Sequence, residues 1–340
     1  MWHVKPVIRD QRLLFALVAI AISGLLIGLL LAYDLTIGIT LLILGIALLA
    51  FSAQKAVEHS VNIASALGVS PLMIDLLIVS LGTDFLEITN SIMSSALDHG
   101  NINVGDSFGS VLAQMTLILG LLALIGGTFK VDREEITVIG SCEVLALIAA
   151  VSMVEKGYIS RMNAFFLVAS WPILLLIVRN IMKKPTVTQN TEQGFLHNLV
   201  LAVLGFAGVA VGSFIVIESV INLSAVLHIA EYFISFFIVA IGTSLPELVI
   251  DLTAVRKRQY EIAIGDIIGS SIVDAGFSVG IGPLFFPITV SATIAETTGL
   301  YALFCSVIVL LLLALRKKLD KKAGIVFIAL YFLSYATMYT

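Results

Sequence analysis

The stretch GTDFLE at residues 82–87 recurs as GTSLPE at residues 242–247, and GDSFGS at 105–110 recurs as GDIIGS at 265–270. Both recurrences are offset by 160 residues, and this register holds without a gap over about residues 35–120. The chain is therefore internally duplicated. Each copy places acidic residues inside an apolar stretch, where a membrane protein must supply a compensating partner.

The composition indicates an integral membrane protein. Of the 340 residues, 59% are hydrophobic and 12% are charged, whereas soluble domains have about 25% charged residues; the mean hydropathy is +1.08. Because lipid offers the backbone no hydrogen-bond partners, we expect an all-α polytopic membrane protein. The net charge of −4 disfavours nucleic-acid binding, and two cysteines suggest neither a disulfide framework nor a metal centre.

Turn residues and charges divide the chain into about eleven apolar segments. Their approximate limits are 12–33, 35–67, 70–98, 103–128, 135–155, 159–182, 195–227, 229–257, 261–286, 290–316 and 323–340. The first is long for a signal peptide and lacks an Ala-x-Ala cleavage site, so residues 1–33 are expected to form an extra N-terminal transmembrane helix. The second and seventh exceed a bilayer core of about 30 Å and are expected to tilt.

The basic residues predict the orientation of these segments in a cell membrane. With the N-terminus in the cytoplasm, 17 of the 19 Lys and Arg residues face the cytoplasm, and only Lys156 and Arg161 face outward. The positive-inside rule therefore predicts a cytoplasmic N-terminus and an extracellular C-terminus.

The duplication predicts two inverted halves. Five spans lie between one copy of the motif and the next, and an odd number reverses the direction of the chain. We expect a first five-helix repeat at 34–182, a short cytoplasmic linker at 183–194, and a second repeat at 195–340. Inverted repeats with interrupted helices are typical of secondary transporters. A purely structural duplication would explain the glycines, which suit close helix contacts, but not the paired acids.

The duplicated acids indicate a cation path, because no Lys or Arg lies at comparable depth in the sequence. Calcium takes about six to eight oxygen ligands, and hydroxyls lie one turn from the two glutamates. No set of Cys and His residues has the spacing of a zinc or copper site. The candidate metal-ligating residues are Glu87, Glu247, Thr83, Thr243, Ser110, Ser270, Asp274, Ser244, Asp84, Gln114, Asp106 and Asp266.

Some acids have a structural interpretation of equal weight. Asp106 and Asp266 stand where helices are expected to begin and could act as N-caps. Asp251 follows Glu247 by one helical turn but also lies near Arg256, so a salt bridge at a helix end is an alternative to a role in the site.

The run GTSLPE at 242–247, followed by GDIIGSSIVD at 265–274, resembles the second α-repeat of the sodium/calcium exchanger family, part of the cation/calcium antiporter superfamily. The segments 82–87 and 105–114 are similar to the first. The resemblance implies ten core helices with one extra, a central cluster of spans three, four, eight and nine, and two long helices that slide between states. It also implies that Ca²⁺ is held by Glu87 and Glu247, and that the Ca²⁺ and Na⁺ sites are completed by Thr83, Thr243, Ser110, Ser270, Ser244 and Asp274.

The chain departs from the family pattern near the expected site. Asp84 stands where the family usually has Ser, Leu86 where it has Pro, and Gln114 where it has Asn; Asp106 and Asp266 replace Asn. These changes add three carboxyls close to the path, and crowded, desolvated carboxyls favour proton uptake. Exchange of Ca²⁺, or another divalent cation, for H⁺ is therefore the alternative to exchange of Ca²⁺ for Na⁺.

Other classes of function fit the sequence less well. An intramembrane aspartyl protease resembles its relatives in a Gly-x-Gly-Asp motif, but Asn103 and Ala263 stand at the first Gly position. A channel stays possible, although duplicated acids suit alternating access better. We expect no enzyme activity and no permanently bound cofactor. The expected partners are the lipid bilayer and the transported Ca²⁺ and Na⁺, or H⁺; no nucleic acid is expected, and no protein partner can be inferred.

Overall fold

The computed structural model describes residues 11–66, 84–179, 194–256, 258 and 260–338, and this part of the chain is almost entirely helical. Within it, seven helical stretches are long and apolar enough to cross a bilayer. They are Tyr33–Ser60, Gly100–Gly126, Arg133–Val154, Phe195–Leu227, Glu231–Arg256, Ala263–Phe285 and Ala292–Arg316. The expected helical, multi-span class is thus confirmed, while the count of eleven spans and their inversion stay predictions.

The first half contains five described helices. They are α1 (Gln11–Ala66), α2 (Phe85–Ala96), α3 (Gly100–Gly126), α4 (Arg133–Val154) and α5 (Arg161–Arg179). A π-helical turn at Ala113–Ile118 interrupts α3. Two short strands, β1 (Phe129–Lys130) and β2 (Tyr158–Ile159), flank α4.

The second half contains six helices among the described residues. They are α6 (Phe195–Leu227), α7 (231–243), α8 (Leu245–Arg256), α9 (260–285), α10 (Ala292–Arg316) and α11 (Lys321–Met338). π-helical turns interrupt α7 at Ser235–Val239 and α9 at Val273–Ser278. The strands β3 (Ile288–Thr289) and β4 (Lys318–Leu319) flank α10.

Equivalent elements recur at the offset seen in the sequence. Helix α8 begins and ends 160 residues after α2, and the π-helical turn of α9 lies 160 residues after that of α3. A π-helical turn widens a helix locally and is frequent at functional sites. The duplication therefore extends from residue types to the places where the helices are interrupted.

The expected separate N-terminal helix is wrong in its boundary. A single helix runs from Gln11 to Ala66, through the predicted break after residue 33. Neither Gly nor Pro stands at Tyr33, Asp34 or Leu35, and a lone acid does not end a helix. By its length of about 1.5 Å per residue, this helix is far longer than a bilayer core of about 30 Å.

The long helices α1 and α6 lie side by side through small residues. A Cβ placed on Gly205 would lie 2.7 Å from the amide nitrogen of Ala56, and one on Gly212 would lie 2.8 Å from that of Leu49. Close backbone approach at small residues stabilises helix pairs in membranes. The two helices form a hydrophobic cluster of their own, which meets the rest of the molecule at a few residues such as Leu86.

Helices α3 and α9 occupy the centre of the main hydrophobic cluster. The short strands join the two halves at its edges: β1 pairs with β4, and β2 pairs with β3, both antiparallel. The all-α expectation misses these strands because they are two residues long and form only between distant loops. The start of the predicted third span, the linker up to residue 193 and residues 257, 259 and 339–340 lie outside the described residues.

Candidate cation-binding site

Two helix breaks position the duplicated glutamates. Asp84 and Ser244 are equivalent residues that precede α2 and α8, with ψ angles of 14° and 7°. Pro246 in the first turn of α8 has no N–H to donate, which favours a helix start at this point. Glu87 and Glu247 therefore lie in first helical turns, where the helix dipole stabilises negative charge.

The two glutamates are buried together without hydrogen bonds. Glu87 is 1% exposed and Glu247 is 0% exposed. All four carboxyl oxygens lack a hydrogen-bond partner among the described residues, although Glu247 lies within electrostatic range of Glu87 and Asp84. Burying carboxylates unpaired costs several kcal/mol, so this pair requires cations or protons.

Gln114 and Asp274 meet at the two π-helical turns. The Gln114 amide donates from Nε2 to Asp274 Oδ2 at 3.0 Å, and Ser271 Oγ donates to Gln114 Oε1 at 2.8 Å. Both side chains are buried. The mismatch between the halves at this position is thus a complementary pair, an amide donor facing a carboxyl acceptor.

Asp106 is part of the same buried region and does not cap a helix. Helix α3 begins at Gly100, so Asp106 lies in its second turn, and the N-cap interpretation is wrong. Asp106 accepts hydrogen bonds from Asn90 Nδ2 at 2.5 Å and from Thr243 Oγ1 at 3.2 Å. The Thr243 bond crosses between the halves.

Asp266 differs from its counterpart in its neighbours. Helix α9 begins at Tyr260, so Asp266 is not an N-cap either. Its neighbour is the carboxyl of Asp251, which is 0% exposed. Arg256 is exposed, and no ion pair between it and Asp251 is found in the described part of the chain. The salt-bridge alternative for Asp251 is therefore not supported.

The hydroxyls predicted to complete the site are buried where they are described. Ser110 Oγ donates to the carbonyl of Ala240 at 3.5 Å, and Ser270 is 4% exposed. Ser244 Oγ is buried with no hydrogen-bond partner among the described residues. Asp84 is buried at the break before α2. Thr83 lies outside the described residues.

The carboxyls do not form a ready-made metal cage. Among the described residues, no group of three or more His, Cys, Asp or Glu side chains converges in a metal-holding arrangement. Asp274 nevertheless lies within electrostatic range of Glu87, Asp84 and Asp106. A cation would therefore draw on hydroxyls, carbonyls or water in addition to carboxylates, which suits a hard ion.

Three residues of this region escaped the sequence reasoning. Asn90 holds Asp106, Asp251 faces Asp266, and Ser271 holds Gln114. Asn90 and Asp251 lie three and four residues after the glutamates, on the same helical face. Helical spacing could therefore have found them, but neither residue is duplicated.

The interrupted helices and buried, unpaired carboxyls define a multi-pass membrane protein that carries cations. A family model described as sodium/calcium exchanger protein matches residues 37–179 and 197–340. The chain belongs to this family, whose members are transporters and not catalytic enzymes. Membership also agrees with a protein integral to the membrane.

Relatives extend over most of the chain. An uncharacterised membrane protein of Methanocaldococcus jannaschii is 29% identical and covers 89% of this chain and 99% of its own length. The sodium/calcium exchanger MaX1 of Methanosarcina acetivorans is 26% identical and covers 87% and 97%. A solved structure of the sodium-calcium exchanger NCX_Mj, soaked with Na⁺ and Ca²⁺, is 28% identical, with a TM-score of 0.58 over 89% and 98% of the two chains.

Proposed function

We propose that this antiporter exchanges Ca²⁺ for Na⁺ at one shared acidic site by alternating access. The observation that carries the proposal is the pair Glu87 and Glu247, whose four buried oxygens have no hydrogen-bond partner among the described residues. A Ca²⁺ ion or several Na⁺ ions would supply the missing positive charge. The relative named sodium/calcium exchanger MaX1 supports this choice of ions.

The same geometry gives a reason for obligatory exchange. Several carboxyls share one apolar region, so an empty, ionised site would carry a large uncompensated charge during any movement through it. Occupation by cations removes most of this cost. The protein would therefore change state with ions bound and resist doing so empty, which couples the flow of one cation to the counterflow of the other.

The proposed site extends beyond the two glutamates. Glu87 and Glu247 would bind directly, and Asp106, held by Asn90 and Thr243, would be positioned towards them. We include the other candidates in the same proposal, with hydroxyls and carboxyls as oxygen ligands: Thr83, Thr243, Ser110, Ser270, Asp274, Ser244, Asp84, Gln114 and Asp266.

The proposed arrangement has inverted repeats at 34–182 and 195–340, joined by a cytoplasmic linker, with the N-terminus inside and the C-terminus outside. The common offset of the helix interruptions supports the repeat. The hydrophobic cluster of α1 and α6 is separate from the main cluster, which supports movement of these two helices against the rest.

Exchange for H⁺ is the second candidate, and the carboxyl of Asp251 beside Asp266 favours it. Two neighbouring carboxyls without a basic partner among the described residues are less costly when they share a proton. Calcium flux into liposomes under separately imposed Na⁺, K⁺ and H⁺ gradients separates the candidates. Flux that follows the pH gradient without Na⁺ would replace Na⁺ by H⁺ in the proposal.

Charge-removing variants test the site itself. Glu87→Gln and Glu247→Gln should each abolish Na⁺-driven Ca²⁺ uptake into proteoliposomes, because the ligand charge is lost while the shape is kept. Glu218→Gln is the matched control, since Glu218 is exposed on α6 and makes the same charge change. Uptake that survives both site substitutions would refute the proposal.

A further inference from the structure

The strand pair β1–β4 brings together two basic segments that are distant in the sequence. Lys130 stands directly opposite Lys318, and the backbone N–H of Val131 donates to the carbonyl of Lys317 at 3.1 Å. Residues 130–135 and 316–322 together contain seven basic residues and four acidic ones. The surface formed by Lys130, Lys317, Lys318, Lys321 and Lys322, all exposed, is called here the lysine ribbon.

The lysine pair at the centre of this ribbon is unfavourable by itself. Side chains directly opposite in an antiparallel pair have Cβ atoms about 5 Å apart, and like charges there destabilise the pair. Lys130 has no ion-pair partner in the described part of the chain, and Lys318 Nζ lies 3.6 Å from Asp320 Oδ2. A bound anion would convert this repulsion into attraction.

The nearby acids are already engaged elsewhere. Asp320 forms a two-bond ion pair with Arg316, at 3.1 Å and 2.6 Å, and accepts the backbone N–H of Ala323 at the start of α11. Asp132 accepts the backbone N–H groups of Glu134 and Glu135 at the start of α4. Neutralisation of the lysine ribbon is therefore left incomplete.

The first turn of α11 adds to the positive potential. It contains Lys321 and Lys322 and no acid, although a helix N-terminus favours negative charge. These two ammonium groups thus stand at the unfavourable end of the helix dipole, next to the lysine pair. An anion in front of them would interact with both the side chains and the helix end.

The second strand pair shows that the fold does not need these charges. In β2–β3, Tyr158 stands opposite Thr289 with the same two-residue pairing. Tyr158 is the repeat equivalent of Lys318, and the apolar partners Ile159 and Ile288 match the apolar pair in β1–β4. The lysines therefore serve a purpose beyond backbone pairing, and a bias of basic residues towards the cytoplasm would not require them to face each other.

The depth of the lysine ribbon identifies the anion. Ile125 near the end of α3 is 56% exposed, and Leu315 near the end of α10 is 71% exposed. These apolar side chains face lipid within a few residues of the lysines, which places the lysines at the level of the headgroups. Basic clusters directly beyond membrane helices attract anionic lipid.

We propose that the lysine ribbon binds the headgroup phosphate of an anionic phospholipid, with the acyl chains packed against the exposed ends of α3 and α10. On the proposed orientation, this lipid lies in the cytoplasmic leaflet. The site is separate from the acidic region, and the proposal does not depend on which ions are transported.

Native mass spectrometry of the detergent-purified protein, mixed with phosphatidylglycerol and phosphatidylcholine, counts the lipids retained. Lys130→Gln combined with Lys318→Gln should weaken phosphatidylglycerol retention by roughly 25-fold, about fivefold for each lysine. The pair Lys130→Arg and Lys318→Arg should restore it. Lys55→Gln, an exposed lysine on α1, is the matched control and should retain the wild-type level.

Two results would overturn the proposal. The first is equal retention of phosphatidylglycerol by the wild type and the double Gln variant, with both eluting as a single folded species. The second is displacement of phosphatidylglycerol by an excess of inorganic phosphate, which would indicate a site for free anions. Because the assay is performed in detergent, an altered membrane orientation of the variant does not affect the outcome.

Discussion

Gly109 is the position where the two halves approach each other most tightly at the candidate site. A Cβ at this position would lie 2.2 Å from the carbonyl oxygen of Phe236 and 2.7 Å from Cβ of Ala240. Both neighbours are on α7, and one of the two atoms is backbone. Gly109→Ala therefore cannot be accommodated by rotating a side chain, and α3 and α7 must separate by about 1 Å to reach ordinary contact.

The expected cost follows from two opposing effects. Overpacking of a tight contact costs about 1–3 kcal/mol, whereas Gly→Ala in a helix interior gains up to about 1 kcal/mol from backbone entropy. A net destabilisation of about 1–2 kcal/mol should remain. The separation would also stretch the bond from Thr243 Oγ1 to Asp106 Oδ1, now 3.2 Å, beyond hydrogen-bonding distance.

Thermal unfolding in detergent, measured with and without Ca²⁺, checks both consequences. Gly109→Ala should unfold several degrees below the wild type, and added Ca²⁺ should stabilise it less. Gly276→Ala is the control, because the nearest atoms to its Cβ would lie 3.8 Å away. If the two variants behave alike, the close approach at Gly109 does not determine the geometry of the site.

Three further changes test individual contacts. Gln114→Ala removes the donor to Asp274 and should change the preference between Na⁺ and Ca²⁺ in flux assays, whereas Gln114→Glu should impair both ions by adding charge; an unchanged preference would contradict the role of this pair. Asn90→Ala should weaken Ca²⁺-dependent stabilisation severalfold by releasing Asp106, and equal stabilisation would contradict this. The backbone N–H of Ala323 and the ion pair with Arg316 hold the pKa of Asp320 below its ordinary value, so its contribution to stability is present above about pH 4 and lost as the pH falls further. Asp320→Asn should therefore lower the unfolding temperature at pH 7 and remove this acid-dependent loss, and identical pH profiles would argue against it.

The sequence predicted the features that depend on local composition. Apolar run lengths predicted segments such as 195–227, which is the helix Phe195–Leu227. The recurrence at 160 residues predicted the equivalence of Gln114 and Asp274, which are in contact. Both inferences succeed because hydrophobic length and internal similarity are properties of the chain itself.

The failures concern features set by tertiary contact or by weak local signals. The helix through Tyr33 and Asp34 continues because nothing at these residues breaks it, although the charge suggested a boundary. Asp106 and Asp266 follow glycines, which suggested helix starts, but the helices begin six residues earlier. In both cases a single polar residue was given more weight than the helical pattern around it.

Partner choice between distant residues was also beyond the sequence. Nothing local in the chain favours Asp266 over Arg256 as the neighbour of Asp251, because the choice depends on how α8 packs against α9. The same is true of Asn90, whose amide reaches Asp106 only because α2 packs against α3. The ligand types could be predicted, whereas their hydrogen-bond partners required the fold.

The crossed pairing of the short strands has a consequence for biosynthesis. Strand β1 is translated about 190 residues before its partner β4, and at about 5–20 residues per second the interval is roughly 10–40 s. During this time the edge groups of Phe129 and Lys130 have no strand to pair with, and β2 likewise waits for β3. The first half of the protein therefore enters the membrane incomplete, and the nascent chain can close its two faces only in the order β2–β3, then β1–β4.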